Sequence, residues 1–147
     1  MANICLTFGT KAPMEKLTHA IRSLDGLAAW WTGGTSGNPK KGGEIAFRFG
    51  DAGGFDMRVE KDSDNHVLWE CVGGPEAWHG THIEFQIVPE DAHTQLMFRH
   101  IGWKQEDGFF HHCSMKWATF LLSLKEYVEN GVGHPFPNDI KIEATGM

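Results

Sequence analysis

The chain has 147 residues, a formal net charge of −6, six Trp, ten Phe and three Cys. That length predicts one domain able to bury a core, and an acidic balance without a run of like charges excludes nucleic acid and an anionic membrane surface as expected partners. No apolar run approaches the ~20 residues of a membrane span, no signal-peptide pattern opens the chain, and Cys5, Cys71 and Cys113 lack paired spacing, so a reducing, cytoplasmic location is expected.

In chain order, Ile4, Leu6 and Phe8 alternate with other residues and predict a first strand. Pro13 suits the first turn of a helix whose buried stripe is Met14, Leu17, Ile21 and Leu24. A second short helix over 26–32 carries Leu27, Trp30 and Trp31. The glycine-rich stretch 33–43 lacks the spacing of a phosphate-binding loop and is expected to be a flexible connection. From Glu44 the period becomes two. Ile45-x-Phe47-x-Phe49, Phe55-x-Met57-x-Val59 and Val67-x-Trp69-x-Cys71 predict three strands joined by short turns. A strand over 78–88 then places His79, Thr81, Ile83, Phe85 and Ile87 inward, with Trp78, Gly80, His82, Glu84 and Gln86 outward. Thr94, Leu96, Phe98 and His100 complete the inward set, and pairing across the loop 89–92 sets His100 opposite Thr81 or Ile83.

Residues 106–130 predict a helix roughly 35 Å long. Its buried stripe is Phe110, Cys113, Trp117, Phe120, Leu121, Leu124 and Val128, with Asp107 as cap and Asn130-Gly131 as stop. Only a sheet can cover such a stripe here. The expected fold class is therefore α+β: an antiparallel sheet of about six strands wrapped around a long C-terminal helix, with two short helices after the first strand.

This order of elements carries several short motifs. They include Leu27-Ala28-Ala29-Trp30-Trp31-Thr32, Val67-x-Trp69-x-Cys71 and Gly74-Pro75-x-x-Trp78-x-Gly80-Thr81-x-Ile83-x-Phe85. Further on come Thr94-x-Leu96-x-Phe98-x-His100-x-Gly102 and Trp117-x-x-x-Leu121-x-x-Leu124-Lys125-x-Tyr127. Together they resemble the START-like (SRPBCC, helix-grip) superfamily of the birch pollen allergen and the polyketide cyclases. Within it the chain is most similar to the group named after the activator of the heat-shock-protein ATPase. The resemblance spans about 4–135 and implies a birch-pollen-allergen-like fold with a cavity between sheet and long helix that holds apolar ligands. One domain over 1–137 is expected, with 138–147 as a loose C-terminal tail.

The rings of Trp30, Trp31, Phe47, Phe49, Trp69, Phe85, Phe98 and Trp117 either line that cavity or pack as core, and in a helix grip the two overlap. His79, Thr81 and His100 are expected to converge at the cavity end nearest the start of the long helix, with Phe109, His112 or Cys113 close by. There they would hold a polar ligand head, act as acid and base, or simply hydrogen-bond their neighbours. No metal site is expected: His111, His112 and Cys113 point ~100° apart on a helix, and His79 and His82 face opposite sides of a strand. No cofactor is expected either. The function expected is binding of a small apolar or amphipathic molecule; the alternatives are a cyclase- or hydratase-type enzyme using His79 or His100, and a chaperone-interacting module.

Overall fold

Seven antiparallel strands and three helices make up the computed structural model, which describes residues 1–143. Strand β1 (Ala2–Thr10) leads into α1 (Met14–Arg22) and α2 (Leu24–Trp30), followed by β2 (Gly34–Gly37), β3 (Glu44–Arg48), β4 (Gly54–Ser63), β5 (His66–Gly73), β6 (His82–Pro89), β7 (Thr94–Trp103) and α3 (Gly108–Asn130). The sheet order is β1-β7-β6-β5-β4-β3-β2. The run from β2 to β7 is thus a simple meander, β1 adds to the β7 edge, and α1 and α2 carry the chain across to the other edge. This is the expected α+β helix-grip arrangement.

Alternation decides which face is buried. Ile45, Phe47, Met57, Val59, Val67, Trp69, Ile83, Phe85, Leu96 and Phe98 are all nearly inaccessible and lie on the inner face. In α3 the buried residues include Phe110, Cys113, Trp117, Phe120, Leu121, Leu124 and Val128, so its stripe packs inward as its spacing requires. Burying each large side chain contributes about 1.5–3 kcal/mol as an upper bound, which makes α3 integral to the core. Its ends are set by local chemistry. The Asp107 side chain accepts from the Phe110 N–H at 3.2 Å, and Gly131 stops the helix in the left-handed conformation at φ +84°. On the outer face, Glu84 is buried between Arg99 (2.6 Å) and His66 (2.8 Å).

Two stretches depart from expectation. Gly34–Gly37, expected within a flexible connection, pairs with β3 as a seventh strand, from Gly34 opposite Arg48 to Gly37 opposite Ile45. No apolar alternation marks it, because an edge strand held by backbone hydrogen bonds needs none. Glycine is required instead: Gly37 has φ +116°, and a Cβ there would stand 2.3 Å from the Glu44 carbonyl oxygen. The second departure lies in the expected loose tail, where Asp139 is buried and paired with Lys116 of α3 at 2.5 Å. Residues 144–147 of that tail lie outside the described residues. Among the described residues, no helix is long and apolar enough to cross a membrane.

Candidate ligand cavity

A cavity of about 340 Å³ lies between α3, the inner face at the β3–β4 end and the segment that follows α3. From α3 come Phe109, His112, Cys113, Lys116, Trp117 and Phe120, whose spacing of three and four defines a helical face flanking the core stripe. The opposite wall is aromatic. Trp31, at the end of α2, packs against Phe47 (4.3 Å between ring centroids), Trp117 (4.9 Å) and Phe55 (5.9 Å), and Phe55 stacks on Trp78 at 3.8 Å. Phe49 and Phe136 close one side, their rings 5.3 Å apart. The backbone after α3 is tied to α2 by the Phe136 N–H donating to the Trp31 carbonyl (2.8 Å).

Two of these walls, at Trp117 and Trp78, are joined by one chain of hydrogen bonds. The Trp117 Nε1–H donates to His100 Nδ1 at 3.1 Å, which leaves the imidazole proton on Nε2. That N–H donates to Thr81 Oγ1 at 2.8 Å, and the Thr81 hydroxyl donates to the Trp78 carbonyl at 2.6 Å. Every donor has an acceptor only if His100 is neutral. Burial enforces the same state, lowering His100 from 6.5 to about 3. His100 is therefore a structural pin that holds Trp78 and Trp117 in place.

The expected site residues divide into three groups. Trp31, Cys113 and Trp117 line the cavity. Trp30, Phe47, Trp69, Phe85 and Phe98 are buried in the surrounding core, with Thr81 and His100 in the hydrogen-bonded chain. Of the two expected partners, Ile83 rather than Thr81 pairs with His100 across β6 and β7. His79 is the correction: it is exposed, and Trp78, expected outward, is buried on the cavity wall. The physical reason is a short 3-10 turn at Glu76–Trp78 followed by Gly80 at φ +79°, so the strand begins only at His82 and the alternation loses phase upstream of it. The expected trio is thus a pair.

Sequence reasoning missed Phe55, Trp78, Lys116, Phe120, Phe136, Asp139 and Lys141 as lining residues. The i, i+4 recurrence of Lys116 and Phe120 was a usable signal for α3, and Pro75 with Gly80 a signal for broken strand phase. Nothing local marks Asp139.

Lys116, Asp139 and Lys141 form the charged part of the wall. Lys116 Nζ lies 2.5 Å from Asp139 Oδ2, and Lys141 Nζ lies 2.7 Å from Asp139 Oδ1. Burial alone would raise the Asp139 carboxyl; hydrogen bonds from Lys116 and Lys141 outweigh it and hold the group below the usual carboxylate range. Burial, helped by the Lys116 cation, lowers His112, which is neutral at pH 7, and its Nδ1 is buried without a partner among the described residues. Burial also pushes the Cys113 thiol up to about 12, so it is no nucleophile at neutral pH. Away from the cavity, Glu60, Glu70 and His82 bring one ligand atom each within 4.8 Å of one another on the outer face. These groups already have partners: Arg58 pairs with Glu70, and His82 Nε2 lies 3.2 Å from a Glu60 carboxylate oxygen.

Comparison with known proteins places this arrangement. The solution structure of the Aha1 dimer from Colwellia psychrerythraea is similar with a TM-score of 0.82 and 41% identity, covering 90% of this chain and 100% of that one. CalU16 from Micromonospora echinospora is similar in fold, with a TM-score of 0.78 at 16% identity over 97% of this chain and 75% of that one. SSP2350 from Staphylococcus saprophyticus has a TM-score of 0.73 at 18% identity, covering 90% of this chain and 95% of that one. No curated protein sequence matches. A family model matches residues 11–129, nearly the whole span from the end of β1 to the end of α3, and the chain belongs to the family that it describes, Activator of Hsp90 ATPase homolog 1-like protein.

Proposed function

We propose that this protein binds a small, mainly apolar molecule in the cavity beside α3. The observation that carries the reading is the 340 Å³ space walled by Trp31, Phe49, Phe55, Trp78, Trp117 and Phe120. Rings that pack tightly elsewhere in the core leave room here, and the volume lies at the lower end of the range of small-molecule pockets. The family relationship supports the fold and says less about chemistry, since one fold hosts binders and enzymes alike. An acid–base role for His79 or His100 finds no support in the geometry: the first is exposed away from the cavity lining and the second is sealed and neutral. Native mass spectrometry of the purified protein, together with titration of a neutral naphthylamine fluorophore, tests the reading. A co-purifying small molecule or saturable uptake by the folded protein is expected. A folded protein that carries no such mass and takes up no probe would refute it.

A further inference from the structure

The apolar wall is interrupted at one place, and the interruption has a sign. Lys116 and Lys141 share a single carboxylate, Asp139, and among the described residues no other acidic side chain lines the cavity. The wall therefore carries one net positive charge in a chain whose formal net charge is −6. Both ammonium groups are held over rings that line the cavity: Lys116 Nζ lies 4.8 Å from the Phe120 centroid, and Lys141 Nζ lies 5.2 Å from that of Phe136.

Donor accounting sharpens the point. Each ammonium has three N–H groups. Lys116 gives one to Asp139 and one to the Ile140 carbonyl (2.9 Å); Lys141 gives one to Asp139 and one to the Pro137 carbonyl (3.1 Å). Among the described residues, one N–H on each lysine has no partner. His112 adds a neutral ring on the same wall whose buried Nδ1 has no partner among the described residues and can present a third N–H. A cationic ligand head would meet two like charges here, and an uncharged one would leave the excess charge uncompensated.

We propose, resting on the binding role inferred above, that the ligand is an amphipathic monoanion: an aromatic or aliphatic body against the Trp31–Trp117 side and one carboxylate- or sulfonate-like head received by Lys116 and Lys141. A charge-assisted pair of hydrogen bonds at a partly buried site discriminates between anionic and neutral forms of one body by about tenfold. Asp139 then acts as an internal competitor for the same two lysines.

Two fluorophores with the same anilinonaphthalene body, one bearing a sulfonate and one neutral, test this directly. The wild-type protein is expected to bind the sulfonate about tenfold more tightly than the neutral N-phenyl-naphthylamine. Lys141→Gln, at an exposed side chain whose loss leaves the core intact, should weaken the sulfonate several-fold and leave the neutral probe unchanged. Asp139→Asn should tighten the sulfonate, the opposite sign, with circular dichroism confirming that the variant is folded. Lys40→Gln, at an exposed lysine that does not line the cavity, is the control for overall charge and should change neither probe. Equal wild-type affinities for the two probes, or a Lys40→Gln effect as large as that of Lys141→Gln, would overturn the anionic-head proposal while leaving cavity binding intact. Failure to bind either probe, in a protein that also carries no co-purifying molecule, would instead remove the binding role itself, and the proposal with it.

Discussion

Acidification should reveal His100 as the pin of the cavity wall. The unfolded imidazole titrates near 6.5 and the folded one at about 3, with burial as the cause. Between those values the unfolded chain binds a proton that the folded chain refuses, so stability falls as pH drops through 6.5 and continues to fall towards the folded value. At about 1.4 kcal/mol per unit of pKa difference, the loss between pH 7 and pH 5 from this one group is about 2 kcal/mol. Glu84, Glu129 and Asp139 are all held below their ordinary carboxyl values, of 4.5 for the glutamates and 3.8 for Asp139, so the stability they contribute is lost at more acid pH, outside this window. His112 is also lowered and acts in the same direction, but it does so equally in a His100 variant. Urea unfolding of wild type and His100→Gln at pH 7 and pH 5 isolates the group, because glutamine can accept from Trp117 and donate to Thr81 without titrating. The wild type should lose about 2 kcal/mol more than the variant across that interval. Parallel losses in the two proteins would refute the buried, neutral assignment.

Trp117→Ala should cost about 3–5 kcal/mol in urea unfolding, since it empties a ring from the junction of α3 with Trp31 and Phe98 and leaves His100 Nδ1 without its donor; a loss under about 1 kcal/mol would contradict that packing. Gly37→Ala should destabilise by at least about 1–3 kcal/mol, through positive φ and the collision with the Glu44 carbonyl oxygen, and a change within about 0.5 kcal/mol would mean that β2 does not pair as described.

Much of this architecture is written in local periodicity. Residues two apart on β3 to β7 and three or four apart on α3 declare their buried faces because a regular backbone repeats its side-chain directions. The helix ends at Asp107 and Gly131 are legible for the same local reason, each being set by a residue's own capping chemistry. The common inward face of His100 and Ile83 could also be placed, since a one-residue slip would turn Phe85 and Phe98 to solvent, but the choice of Ile83 over Thr81 as partner could not. Tertiary structure alone decided the rest. The exchange of Trp78 for His79 came from a 3-10 turn that reset the alternation, and β2 came from backbone pairing that leaves no side-chain pattern. The cavity itself is space left between five segments of the chain, and its charge depends on Asp139 reaching back to Lys116. No residue in either stretch announces that meeting, because the free energy that favours it exists only once α3 and the segment beyond it lie side by side.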